Sequence, residues 1–199
     1  MKAVMISIQP KLVEKICHKI GEDETGKAIY EKRIEVRKTA PQEVPFKCYI
    51  YETKGQYVKF THGAHTKYGY GRGKVIGEFI CDKVEIVNAK CSDYGIDLFY
   101  HDCLTNGCLT EREIEKYFNV PEDRDLRAMK GNGYVWDISD LKIYDKPKEL
   151  SEFCIPCKVS CENCKNPLYF ECWCEEKGKK IVTRPPLSWC YVEDLGEEK

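Results

Sequence analysis

Three groups of residues in this chain carry side chains whose types and spacing could do chemistry. The first is Lys32-Arg33-Ile34-Glu35-Val36-Arg37-Lys38, in which five of seven residues are charged. As a strand it sends alternate side chains to opposite faces. Ile34 and Val36 then point into a core, Arg33, Glu35 and Arg37 share the other face, and Lys32 stands at the entry. Such a strand is either an edge protected by charge or the wall of a polar cleft.

The second group is a run of cysteines. Seven of the thirteen lie between 154 and 190, as Cys154-x2-Cys157-x3-Cys161-x2-Cys164-x7-Cys172-x-Cys174 followed by Cys190. A Cys-x-x-Cys turn lets two thiolates reach one ion, and four sulfurs satisfy tetrahedral Zn²⁺. The segment has few apolar residues, so metal would supply its folding free energy. Cys154, Cys157, Cys161 and Cys164 are the simplest set. The short spacer between the pairs leaves open a set in which one pair joins Cys172 and Cys174. Four cysteine ligands close the coordination sphere, so the ion is expected to be structural. Cys190, in the strand pattern Trp189-Cys190-Tyr191-Val192, is read as core.

The third group is the glycine-rich stretch 55–73. Tyr57, Tyr68 and Tyr70 alternate there with Lys59, Lys67 and Arg72. Aromatic rings among cations can stack bases and track phosphates; a loop packed over the fold is the plainer reading.

Several elements must position these groups. Lys2–Ile8 has a strand pattern, and Pro10 opens an amphipathic helix over about 10–20 through Leu12, Val13, Ile16, Cys17 and Ile20. Residues 21–30 are acidic and turn-like, and are expected to be mobile. Phe46–Glu52 is rich in strand formers, 55–73 is expected to be irregular, and 75–87 is one long strand or a hairpin. Residues 91–108 show no clear element. Thr110, with Glu113 three positions on, forms a capping box for a helix burying Ile114, Tyr117 and Phe118. Residues 123–133 form a charged turn region, and Tyr134–Tyr144 returns to strand.

Composition narrows the class. A chain of 199 residues is one domain, or one domain with a small insert. The formal net charge is −1, but residues 1–80 hold 15 Lys/Arg against 9 Asp/Glu, and the remainder is acidic. A basic half carrying the charged strand fits a polyanion ligand. No stretch approaches the ~20 apolar residues of a membrane span, and the first residues lack a signal-peptide core. A cytoplasmic chain is expected, with its odd number of cysteines reduced or metal-bound rather than paired as disulfides.

Lys32-x-x-Glu35-x-Arg37 resembles the G-x-K-x-x-E-x-R signature of the ASCH domain, with Tyr30 at the place of the family's glycine. The flanking Ser7-Ile8-Gln9-Pro10, Gly73–Phe79, Ile138-Ser139-Asp140-Leu141 and Pro185–Glu193 follow in the family's order. The resemblance is to ASCH proteins of phages and prophage regions. It implies an α+β fold: a PUA-like mixed β-barrel with flanking helices, formed by 1–150 and 181–199, and interrupted at 151–180 by the zinc-knuckle insert.

The resemblance also implies a basic cleft beside the signature strand that binds RNA or a nucleotide-like ligand. Lys32 and Arg37 would contact phosphate or a base edge, Lys38 would add charge, and Glu35 would accept from an exocyclic amine or hold Arg37. Two other classes stay open. Some ASCH proteins are small amidohydrolases acting on modified cytidine, with a Lys, a Thr three residues later and a separate Glu. Here Lys32 matches and Glu35 stands at the Thr position, leaving a Lys32–Glu35 pair for acid–base work; a nuclease is the related possibility. The other class is a protein-interaction adaptor that contacts its partner through the cysteine-rich insert. An open basic cleft favours nucleic acid, and a cleft plugged by 55–73 favours the adaptor.

Overall fold

The computed structural model describes residues 2–62, 65–88, 90–120, 129, 131–156 and 181–196. Its centre is β1 (Lys2–Ile8), whose apolar run is covered on both faces: Val4, Ile6 and Ile8 enter one core, Ala3 and Met5 another. A strand buried on both faces needs no polar alternation. β1 pairs in parallel with β5 (Phe46–Glu52) and antiparallel with β12 (Trp189–Glu193). β8 (Val75–Cys81) and then β11 (Ser139–Lys148) complete a five-stranded sheet in the order β11-β8-β5-β1-β12. A second sheet has the order β4 (Ile34–Arg37), β10 (Asn132–Asp137), β9 (Val84–Asn88). The chain crosses between the sheets at Asp82-Lys83 and at Ile138, so residues 75–87 are two strands that do not pair with each other.

Helix α1 (Pro10–Cys17) buries Val13 and Ile16 between the sheets. It ends three residues before the expected limit. His18 is extended, and Lys19–Glu22 forms β2, paired with β3 (Ala28–Tyr30). The acidic turn is therefore an ordered hairpin. Asp23 Oδ1 accepts from the Thr25 and Lys27 amides and the Thr25 hydroxyl, and Gly26 takes φ 81°. Residues 55–71 also correct the expectation of irregular chain: β6 (Gly55–His62) and β7 (His65–Gly71) form a two-stranded ribbon.

Residues 91–108 hold helix α2 (Asp93–Thr105), capped by the Ser92 hydroxyl. Its signal was present in the sequence, as a Ser-Asp start followed by Ile96, Phe99 and Cys103 at helical spacing. Helix α3 (Glu111–Phe118) begins with both reciprocal bonds of the Thr110/Glu113 capping box and buries Ile114 and Phe118. Together α2 and α3 cover the outer face of the small sheet, where Ile34, Val36 and Val135 meet Phe99, Cys103 and Phe118. Most of the turn expected at 123–133 lies outside the described residues.

A third core lies on the outer face of the large sheet. There Tyr49, Tyr51 and Val192 pack against Phe153 and Val182, the two ends of the cysteine-rich segment. Cys190 is half-buried against the same core.

Cys48, Cys81 and Cys103 are fully buried and serve as small apolar side chains. Burial pushes the Cys81 and Cys103 thiols up to about 12 from 9.0. Between those values the unfolded chain releases protons that the folded chain keeps. Stability is therefore intact below pH ~9 and falls as pH rises toward ~12, at up to about 1.4 kcal/mol per pH unit for each thiol. Urea unfolding at pH 8 and pH 10 is expected to show the fall, with a shallower slope in Cys103→Ala.

Candidate functional site

β4 carries the signature residues to a place that its charge alone did not suggest. All four of its residues are buried. Ile34 and Val36 face the helices as expected, while Glu35 and Arg37 face inward between the sheets, beside Trp136 and the end of β1. Lys32 is 1%, Glu35 5% and Arg37 8% exposed, so the strand presents no open basic cleft. The charges are instead spent on one another and on backbone carbonyls.

Lys32 Nζ donates to the carbonyls of Ile34 (2.7 Å) and Gly107 (2.8 Å) and lies 3.2 Å from Glu35 Oε2. Glu35 Oε1 is 3.0 Å from Arg37 Nη2, which also donates to the Ser7 carbonyl at 2.7 Å. Arg37 Nη1 reaches Ser188 Oγ at 3.4 Å, a long and weak bond.

Arg33 and Lys38 do not join this group. Arg33 is exposed and donates to Asn106 Oδ1, and exposed Lys38 lies over the Tyr117 ring, 5.0 Å from its centroid. Arg33 departs from the face it was expected to share with Glu35 and Arg37, and Lys38 from the ligand-binding group, because β4 is only four residues long. Arg33 precedes it, and Lys38, one step past Arg37, turns toward α3.

Among the described residues, three polar atoms in the inner cluster make no hydrogen bond: Glu35 Oε2, Arg37 Nε and Trp136 Nε1. The Lys32 ammonium has three donors, two of them used on carbonyls, so Glu35 Oε2 at 3.2 Å is ion-paired with it. Trp136 stands directly across the β4/β10 ladder from Glu35, so the orphan atoms share one face. Sequence reasoning did not single out Trp136. Its signal was an indole in a strand read as core, and only the register places it beside Glu35. The ring is fixed by edge contacts with Phe46 (5.2 Å) and Trp189 (5.9 Å). Each buried donor left without a partner costs about 1–3 kcal/mol, so Arg37 Nε and Trp136 Nε1 make this cluster a candidate site.

Residues Pro185–Ser188 run alongside as a strap. Ser7 Oγ donates to the Pro186 carbonyl (2.6 Å), Ser7 N to the Ser188 carbonyl (3.0 Å), and Trp189 Nε1 to Thr39 Oγ1 (2.9 Å). Leu187 at the crest is fully exposed. A surface cavity of about 530 Å³ lies elsewhere, lined by Tyr51, Thr53, Lys54, Gly73, Glu149, Leu150, Thr183 and Pro185. It includes none of the orphan groups, and Glu149 there is paired with Lys74. The buried cluster is the better-founded site.

The tyrosines expected to stack lie apart from the cluster. Tyr57 is half-buried on the side of the ribbon that meets α1, whereas Tyr68 and Tyr70 are 53% and 71% exposed. The ribbon leans on α1. Of the expected metal ligands, only Cys154 falls among the described residues. Cys157, Cys161, Cys164, Cys172 and Cys174 lie outside them. Among the described residues no three metal-ligating side chains come together.

No family model matches the chain, and no curated protein matches it in sequence. The fold does have counterparts. The crystal structure of ASCH from Zymomonas mobilis superposes with a TM-score of 0.51 at 16% identity, covering 96% of this chain and 88% of that one. A serine-to-alanine variant of that protein gives 0.52 at 14% identity, over 96% of this chain and 89% of that one. A tyrosine-to-phenylalanine variant gives 0.51 at 14%, over 98% and 92%. The chain therefore has the ASCH-domain fold, an α+β architecture of the PUA-like kind. These likenesses do not bear on a phage or prophage setting. Among the described residues no helix is long and apolar enough to cross a membrane.

Proposed function

We propose that this protein binds RNA or a nucleotide-like ligand by a base edge held at Glu35, Arg37 and Trp136. The observation that carries the reading is the set of unpartnered buried atoms. Arg37 Nε and Trp136 Nε1 are donors that lack an acceptor among the described residues, and Glu35 Oε2, 3.2 Å from the Lys32 ammonium, has a further lone pair to offer a donor. A nucleobase edge with a ring nitrogen or carbonyl beside an exocyclic amine offers the complementary pattern. The formal charges of Lys32, Glu35 and Arg37 sum to one positive charge, which suits a ligand with a phosphate. Access runs past Ser188, whose bond to Arg37 is the weakest in the cluster.

Lys32 is held in place by its hydrogen bonds to two carbonyls and by Glu35, which leaves its amine engaged on every side the structure describes. That arrangement does not favour acyl transfer. The test is a thermal-shift titration with the four ribonucleoside 5′-monophosphates and short oligoribonucleotides. At least one is expected to raise Tm by mass action. Trp136→Phe, which keeps a ring and removes the N–H, is expected to weaken that ligand about 10-fold. If no nucleotide shifts Tm, or the variant binds like the parent protein, the reading fails.

We also propose that the cysteine-rich segment holds one structural Zn²⁺ through four of Cys154, Cys157, Cys161, Cys164, Cys172 and Cys174. The spacing supports this, as does the way its described ends meet. Cys154 bridges antiparallel to Ile181, and Val182 N donates to the Phe153 carbonyl at 2.8 Å. Closing the loop in this way lowers the entropic cost of assembling a site. Elemental analysis of protein purified without added metal is expected to find about one zinc per chain, and chelation is expected to lower Tm. Metal-free protein with an unchanged Tm would refute it.

A further inference from the structure

We infer that the surface cavity at the end of β5 is a binding site for a small hydroxylated carboxylate, separate from the buried cluster and not dependent on the reading proposed for it. Its volume of about 530 Å³ falls within the range of small-molecule sites. Three connections converge there. Thr53 and Lys54 leave β5, Gly73 leads into β8, and Thr183 and Pro185 follow the cysteine-rich segment. The β5–β8 ladder shifts register between Ile50 and Tyr51, and an irregular ladder at a sheet end opens space beside it.

The polar groups on the wall are unmatched. Tyr51 is 4% exposed and lines the cavity, and its hydroxyl makes no hydrogen bond among the described residues. Tyr49, on the same face of the same strand, donates instead to Asp194. Burial raises the Tyr51 phenol above its ordinary range, with the Glu149 carboxylate adding to the shift, so it is a donor at neutral pH. The Thr53 and Thr183 hydroxyls make no hydrogen bond among the described residues, and the exposed Lys54 meets no carboxylate there. Gly73 makes room for the Lys54 stem. It takes φ 69°, and a Cβ on it would stand 2.5 Å from Lys54 Cε and 2.6 Å from Cγ.

These groups define the class of ligand. Lys54 together with the Lys74–Glu149 pair gives the wall a formal charge of one positive. A single carboxylate matches that charge, whereas a phosphate dianion exceeds it. The carboxylate would accept from the ammonium and the phenol. Threonine hydroxyls both donate and accept, as the hydroxyls of such a ligand do. Leu150 and Pro185 offer apolar contact to its carbon chain.

The experiment uses the full chain and ligand-observed NMR titrations with glycerate and gluconate. Propionate, glycerol and inorganic phosphate serve as comparison probes. At least one of the two hydroxy acids is expected to bind with a Kd of about 1 mM or tighter. Propionate lacks the hydroxyls and glycerol lacks the carboxylate, so each should bind about 10-fold or more weakly. Lys54→Ala and Tyr51→Phe are each expected to weaken the bound acid about 10-fold. Lys54 is exposed and phenylalanine keeps the Tyr51 ring in its core, so both variants should fold, which circular dichroism checks. Trp136→Phe should leave binding of the acid unchanged, so the fate of this site and that of the buried cluster are read separately. If neither acid binds, or either cavity variant binds it like the parent protein, the inference is overturned. It is equally overturned if inorganic phosphate binds more tightly than both acids.

Discussion

Glu35→Ala is expected to lower the unfolding free energy by about 3–5 kcal/mol, enough to threaten a domain whose total is typically about 5–15 kcal/mol. Glu35 lies between the Lys32 ammonium and the Arg37 guanidinium, and all three are nearly sequestered from water. Removing the carboxylate leaves two cations facing each other in a low-dielectric interior. The order of effects within the trio is also fixed by charge. Lys32→Met leaves the neutral Glu35–Arg37 pair and should cost less than Glu35→Ala, which leaves a charge of two. Urea denaturation of the three proteins checks both the size and the order, read from Cm at constant m. A loss below ~1 kcal/mol for Glu35→Ala would mean that water reaches the cluster as it does a surface ion pair.

Phe153→Ala is expected to cost a similar about 3–5 kcal/mol, for a different reason. Phe153 immediately precedes Cys154 and is fully buried, its ring 4.9 Å from that of Tyr49 in an edge-on contact. Tyr49 in turn donates from its hydroxyl to Asp194 at 2.7 Å, and Asp194 is paired with Lys47 at 3.1 Å. Burial pushes the Tyr49 phenol well above its ordinary range, with the Asp194 hydrogen bond adding to the shift. Truncating Phe153 opens a cavity beneath this network and loosens both the ends of the cysteine-rich segment and the chain after β12. If the segment were a separately folded appendage, the barrel's Tm would not respond to Phe153→Ala. A large drop in the main cooperative transition is therefore the expected result, measured by calorimetry.

Much of the framework was legible in the residues. β1, β5, β12, the start of α1 and the capped α3 each carry a local signal in apolar period, proline position or capping chemistry. The errors came where a local signal was weak or overridden. Residues 21–30 and 55–71 read as turns because glycine and charge dominate them, yet ladder pairing made each a hairpin. Helix α2 was missed because its glycine, aspartates and histidine obscured the Ile96, Phe99, Cys103 spacing.

The sequence by itself determined that Glu35 and Arg37 share one face of a strand, with Lys32 just before it, and that Ile34 and Val36 are buried on the other face. It also placed Cys48 and Cys81 in strand patterns, as the fold has them. Only the tertiary structure decided that the charged strand is interior, that Arg33 and Lys38 leave the group, and that Trp136 joins it. Period and charge describe one strand's two faces, but which face meets water depends on the layers packed against each. Helices α2 and α3 cover one side of β4 and the large sheet covers the other. With both faces closed, the charges are satisfied by one another and by backbone carbonyls.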